Sequence, residues 1–215
     1  MSHELELSRQ FSAELNCPIK LFLCREQVGE SDLSDAEKLR LAEMKHPLKR
    51  ESWLRGRFAL KNIVAELEDL SDWQTIDTMQ IRMPNANYSL SHSGDFAASV
   101  FSAAGKGIGV DLEMERIVKS GSTKFFLASH EKDWTMTLSE GPEQNDQILR
   151  LWTVKEALFK SDLQNEGKTV SRYVLDEPPV LSGSAFTLSD SGGKSFRYSS
   201  QKFLNYWLTI AIPQA

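Results

Sequence analysis

Along this chain, stretches in which apolar residues recur every three or four positions alternate with stretches in which they recur every two. The first spacing predicts helices and the second half-buried strands. Residues 18–24 (PIKLFLC) read as a first strand. Asp32 or Ser34 can cap a helix running to about residue 46, and Pro47 suits the first turn of a second helix that continues to about residue 67. Leu48, Trp53, Leu54, Phe58, Ile63, Val64 and Leu67 form the apolar stripe of that second helix. Residues 87–93, 96–101 and 106–113 follow as three strands, with turns at Gly94-Asp95 and in the AAGKG run at 103–107.

The second half repeats the theme loosely. A helical region covers residues 123–137, and a longer helix runs from about 143 to 163. Strands are expected near 172–175, 185–189, 194–202 and 206–212, with a hairpin turn at Ser191-Gly192-Gly193. Helices followed by antiparallel-looking strands in each half imply an α+β fold. The division falls near residues 102–106, giving halves of 1–104 and 105–215. No long Pro/Gly/Ser linker separates them, so the halves are expected to pack together.

Composition narrows the class. With 215 residues, 40% hydrophobic and 26% charged, the chain can bury a full core. A net charge of -5 disfavours a nucleic-acid binder that relies on bulk charge. That average conceals a basic stretch: Lys45, Lys49, Arg50, Arg55, Arg57 and Lys61 stand close together against Glu51 alone, between acidic flanks. Such a patch suits a small polyanion, and it equally suits a solvated helix face. Two cysteines, Cys17 and Cys24, provide neither a zinc motif nor a disulfide framework. The polar start MSHELELSRQF does not read as a signal peptide, and no apolar run is long enough to span a bilayer, so no membrane association and a cytoplasmic location are expected.

Two acidic motifs carry the candidate chemistry. In GVDLE (109–113), strand alternation sends Ile108, Val110 and Leu112 to the core and Gly109, Asp111 and Glu113 to the other face. Two carboxylates about 7 Å apart on one face repel unless solvent or a cation intervenes. In WTVKEALFK (152–160), Ile148, Leu151, Trp152, Leu158 and Phe159 make an apolar stripe with Lys155 in its middle, Glu156 at its edge and Lys160 one turn beyond. A hard cation held by Asp111, Glu113 and Glu156, with a phosphate-bearing ligand on Lys155 and Lys160, would satisfy all five charges. A solvated acidic edge strand, a snorkelling Lys155 and a surface Glu156–Lys160 pair would explain the same residues. YSLSHS (88–93) adds Ser91, His92 and Ser93 just before a turn, a donor cluster able to bind phosphate. There is no Walker or Rossmann glycine loop and no Gly-x-Ser-x-Gly elbow.

YSLSHS, GVDLE and WTVKEALFK, in this order and at these separations, resemble the 4'-phosphopantetheinyl transferases of the single-chain, surfactin-synthetase-activating type. KRESWLRGRFALK (49–61) is similar to that family's coenzyme A-binding helix, KFFLASHEKDW (124–134) to its central segment, and EGKTVS (166–171) to the stretch after the catalytic helix. The resemblance implies two similar α+β halves packed as a pseudo-twofold pair, mostly antiparallel, with a long helix in each. It implies Asp111, Glu113 and Glu156 as magnesium ligands, with Glu156 also the general base and Lys160 the group that neutralises or protonates the leaving phosphate. Coenzyme A, the cosubstrate, would be held by Lys49, Arg50, Arg57, Lys61, Ser91, His92 and Lys155, with Arg57 on the 3'-phosphoadenosine end. Arg82-Met83-Pro84 stands where many members show Gly-Lys-Pro or Gly-Arg-Pro, and Glu115 where many show threonine.

The implied reaction moves the phosphopantetheine arm of coenzyme A to a serine of an acyl or peptidyl carrier protein and releases 3',5'-ADP. A monomer is expected, because both halves lie in one chain. Two rivals use the same residues. A magnesium phosphohydrolase or nuclease accounts for the acids but leaves the basic helix unexplained. A non-catalytic module that binds coenzyme A or a carrier protein would have no need of the full Asp111, Glu113, Glu156 and Lys160 set.

Overall fold

The computed structural model of the chain describes residues 3–214 apart from 139, 176, 180–181 and 188–192. The elements run α1 (His3–Leu15), β1 (Lys20–Cys24), α2 (Asp35–Ala42), α3 (Pro47–Glu68), β2 (Tyr88–Ser93), β3 (Phe96–Phe101), β4 (Gly109–Met114), α4 (Ser129–Met136), α5 (Pro142–Ser161), β5 (Tyr173–Leu175), β6 (Ser182–Thr187), β7 (Ser195–Phe203) and β8 (Tyr206–Pro213). They build an α+β fold with two antiparallel sheets, a three-stranded one ordered β1-β3-β2 and a five-stranded one ordered β4-β8-β7-β6-β5. α3 packs on the first sheet and α5 on the second. Among the described residues, no helix is long and apolar enough to cross a membrane.

α1 is absent from the sequence expectation. Leu7, Phe11 and Leu15, spaced four apart, are buried and join Ile108, Val110, Leu112, Leu208 and Ile210 in one core that bridges both sheets. Arg197 on β7 donates to the Glu14 and Leu15 carbonyls, satisfying the open end of the helix. The α3 stripe is narrower than expected. Leu48 and Leu67 are exposed, and Leu54, Ala59, Leu60, Ile63 and Val64 carry the packing. Strands of about 20 Å cannot cover a helix of 22 residues, about 33 Å long. The helical region at 123–137 is broken: a short 3-10 turn ends at Phe125 and α4 restarts at Ser129. Phe126 and Leu127, between them, are drawn into the core beneath α5. The expected strand at 185–189 begins earlier, at Ser182, and its last two residues lie outside the described ones, as do Ser191 and Gly192 of the expected turn.

Two fully buried ion pairs, one on α3 and one on α5, are made the same way. Glu37 in the first turn of α2 meets Lys61 of α3 at 2.8 Å, and Glu131 in the first turn of α4 meets Lys155 of α5 at 2.5 Å. Both glutamates also accept the backbone N–H at the start of their own helix, from Ser34 and Ala128. Each lysine spends further protons on backbone carbonyls, Trp73 and Ile76 for Lys61 and Phe126 for Lys155.

Asp162 fastens the end of α5. Its buried carboxylate accepts from Lys168 Nζ at 2.5 Å, Lys194 Nζ at 2.7 Å, Tyr173 Oη at 2.9 Å and the Gln164 N–H at 3.0 Å. Burial alone would raise its pKa, but these bonds outweigh it and hold the group at about 2. A depressed carboxyl stabilises the fold above its unfolded pKa and loses that contribution as pH falls through the folded value. The unfolding free-energy gap between wild type and Asp162→Asn is therefore expected to be about 2 kcal/mol near neutrality. Denaturant titrations should show it narrowing from about pH 4 downward; a gap independent of pH would contradict this account.

Candidate functional site

The two sheets meet edge to edge at β2 and β4 without a backbone ladder. Side chains replace it: the hydroxyls of Ser89, Ser91 and Ser93 accept the N–H groups of Val110, Leu112 and Met114 at 3.0, 3.2 and 3.0 Å. The alternation of serine along β2 puts all three on the side facing β4. Gly109 fixes the second neighbour. A Cβ there would stand 1.9 Å from the Ala157 carbonyl, so only glycine lets α5 rest on β4. That contact brings Glu156 and Lys160 beside Asp111 and Glu113.

A pocket of about 380 Å³ opens at this seam, lined by Ser91, His92, Asp111, Glu113, Trp152, Glu156 and Lys160 among others. Lys160 Nζ is 2.6 Å from Asp111 Oδ1 and also donates to Ser91 Oγ and the Val110 carbonyl. Asp111 is 4% exposed, and its Oδ2 is buried with no hydrogen-bond partner. Glu113 accepts from Trp152 Nε1 at 2.8 Å and Ser93 Oγ at 3.3 Å. Burial and then the Asp111 charge raise its pKa. Burial and then Asp111 lift the Glu156 carboxyl further, to about 7, although Lys160 opposes the shift. The three carboxylates share the pocket, yet among the described residues no group of three or more His, Cys, Asp or Glu side chains stands ready-made for a metal. Lys160 is the cation that Asp111 holds here.

These oxygens nevertheless fit a hard divalent cation. Asp111 presents an unpartnered buried oxygen, and burial and then the Asp111 charge disfavour the ionised form of Glu156; an added cation would relieve both. A raised carboxyl costs stability once ionised: stability is greatest below its unfolded pKa and falls as pH rises through the folded value. With a chelator present, Glu156→Gln should thus unfold later than wild type at pH 8, by on the order of 1–2 kcal/mol after allowance for partial solvent screening. At pH 4, below the unfolded pKa, the two should coincide; equal melting at both pH values would contradict the electrostatic account.

Other expected ligand residues fall elsewhere. Lys155 and Lys61 cannot touch coenzyme A in this arrangement, because both are fully buried in the ion pairs with Glu131 and Glu37. Ser91 is likewise corrected: its one proton goes to Asp111 and its oxygen already accepts from Leu112 and Lys160, leaving nothing for a phosphate. Arg50 turns to Glu30 and the Leu41 carbonyl, at 2.6 and 3.1 Å. Lys49 is exposed in the first turn of α3, and Arg82 is exposed beyond it in the chain. Glu115 pairs with Lys202. His92 does face the pocket, its Nδ1 2.8 Å from Ser52 Oγ. Burial and then the Lys160 charge lower its pKa. Arg57 lies over the Trp53 ring and donates to Thr78 Oγ1.

Residues 107–211, from just before β4 to within β8, match the sequence model of the 4'-phosphopantetheinyl transferase superfamily. This stretch belongs to that superfamily. Over 89 residues the chain is 33% identical to 4'-phosphopantetheinyl transferase ffp of Bacillus subtilis, a match covering 41% of this chain and 37% of that one. Among solved structures it is similar to holo-[acyl-carrier-protein] synthase of Thermotoga maritima, with a TM-score of 0.35 and 15% identity over 51% of this chain and 63% of that one. The chain thus spans little more than a third of the curated relative it matches.

Inside the transferase stretch, sequence reasoning passed over Trp152 and Gly109. Trp152 belongs to the apolar stripe of α5, but its indole N–H donates to Glu113 while its ring packs edge-on against Phe126. The signal for Gly109 is its place directly before the acidic pair, where the side-chain face is closed by α5. The serine period in YSLSHS was legible too, as a β2 face rather than a phosphate cluster.

Proposed function

We propose that this chain transfers the 4'-phosphopantetheine arm of coenzyme A to a serine of an acyl or peptidyl carrier protein, releasing 3',5'-ADP with magnesium as cofactor. The observation that carries this reading is the meeting of Asp111, Glu113, Glu156 and Lys160 at one seam pocket, with a buried Asp111 oxygen left unpartnered. In this reading residues 1–104 hold the nucleotide end of coenzyme A and residues 105–215 hold the metal and catalytic groups. The protein works as a cytoplasmic monomer, without nucleic acid or membrane.

Asp111, Glu113 and Glu156 are the residues that would hold magnesium, which when bound supplies charge neutralisation to the pyrophosphate. The carrier serine oxygen bonds to the β-phosphorus as the bond from that phosphorus to the 3',5'-ADP oxygen breaks. Glu156, which lines the same pocket, is placed to take the serine proton. Lys160 is placed to donate to the departing phosphate once it leaves Asp111. With Nδ1 engaged by Ser52, His92 offers Nε2 to a coenzyme A phosphate.

The test is mass spectrometry of acyl and peptidyl carrier proteins incubated with the chain, coenzyme A and magnesium. The expected result is a mass gain equal to one phosphopantetheinyl group on the carrier serine, with one 3',5'-ADP released per modification. Release of 3',5'-ADP without a carrier protein would favour a phosphohydrolase instead. Coenzyme A binding with no product on any carrier would favour a non-catalytic module.

A further inference from the structure

The hydroxyl of Thr78 is fully buried between two charged side chains, Arg57 and Glu37. Its single proton goes to Glu37 Oε1 at 2.5 Å, so its lone pairs must face Arg57, whose Nη1 donates at 3.0 Å. The Thr78 backbone N–H also bonds Glu37, at 3.3 Å. Glu37 is in turn neutralised by Lys61, which closes the network on the Trp73 and Ile76 carbonyls. The adjoining Asp77 accepts from Ser34 Oγ at 3.1 Å, so the turn carrying Thr78 is fastened at two points.

Arg57 is the member of this network that is only partly buried. Trp53 supports its guanidinium face at 5.3 Å, and its Nε is buried with no partner. The preceding residue, Gly56, is open toward Leu90 and the His92 ring, both of which line the seam pocket, so this turn of α3 lies beside it. An arginine free in solvent loses several rotamers when it grips an anion. Here that ordering is already done by Thr78 below and Trp53 beside.

We propose that Thr78, backed by the buried Glu37–Lys61 pair, is a positioning residue that presets Arg57 for the 3'-phosphate of coenzyme A. The proposal rests on the function stated above, in which Arg57 meets the nucleotide end. It also gives Lys61 a purpose: it acts on the ligand through Glu37, Thr78 and Arg57 rather than by contact.

Calorimetry with coenzyme A and with 3'-dephospho-coenzyme A tests it without a carrier protein. Thr78→Val should weaken coenzyme A about 10-fold and dephospho-coenzyme A by less than about 2-fold. Thr78→Ser should restore wild-type binding, and Thr78→Val added to Arg57→Ala should cost nothing more. In steady state, Thr78→Val should raise KM for coenzyme A while kcat holds. Should Thr78→Val fold poorly, Arg57→Lys, which keeps the charge but not the fork to Thr78, is expected to show the same selective loss. If Thr78→Val or Arg57→Lys weakens both ligands alike, or neither, while Arg57→Ala weakens coenzyme A selectively, the positioning role is wrong and the function stands. If Arg57→Ala has no selective effect, the assignment of the nucleotide end fails first.

Discussion

Asp111→Ala is expected to slow transfer to a carrier protein by at least about 1,000-fold while leaving the fold within about 1 kcal/mol of wild type. The rate loss follows from removing the side chain that holds Lys160 at 2.6 Å and offers an unpartnered buried oxygen to a cation. The small stability change follows from two opposing effects. Losing the Lys160 partner costs something, but that ammonium is partly exposed and keeps the Ser91 hydroxyl and Val110 carbonyl. Against this, the Asp111 charge raises the pKa of both Glu113 and Glu156, so deleting it relieves repulsion. Single-turnover assays with coenzyme A and a carrier protein, alongside urea unfolding, measure both quantities. Activity within tenfold of wild type would remove Asp111 from the chemistry.

Lys155→Met should cost about 3–5 kcal/mol, the expense of leaving Glu131 buried without its cation. The lysine is fully buried, bonded to Glu131 at 2.5 Å and to the Phe126 carbonyl at 2.7 Å, and burial lowers its pKa despite the opposing Glu131 charge. Adding Glu131→Gln should return part of the loss, because glutamine can still accept the Ala128 N–H, although its amide nitrogen then faces the Leu175 N–H. The double variant removes the stranded charge rather than the packing. A ligand-contacting lysine would behave oppositely, with a stable single variant and weakened coenzyme A binding. Paired denaturation and binding measurements on the single and double variants separate the two.

Lys155 illustrates where sequence periodicity stops. In the heptad-like stripe of α5 it reads as a cation interrupting an apolar face, which fits a ligand contact as well as a buried ion pair. The partner that decides between them, Glu131, is 24 positions away on a helix whose start was not legible. Glu37 lies equally far from Lys61; there the capping Ser34 is legible in the sequence and only the pairing is not. The narrow stripe of α3 and the break before α4 were also beyond pattern reading, because sheet width and the depth of the α5 core set them. α1 is different: the helical spacing of Leu7, Phe11 and Leu15 is legible in the sequence itself.

The α+β order of elements, the inward set Ile108, Val110 and Leu112, and the acidic pair alternating with it all follow from local pattern. Periods of 2 and 3.6 dictate which side of an element a residue occupies, and that much is local. Tertiary structure alone decided that Ser91 would be spent on the seam, that Lys61 and Lys155 would be sealed inside, and that Asp111 would meet Lys160. Those outcomes depend on which surfaces come together across tens of residues. A charged or hydroxyl group takes whichever partner the packing places within hydrogen-bond reach, because leaving it buried and unpaired costs more than any local preference can supply.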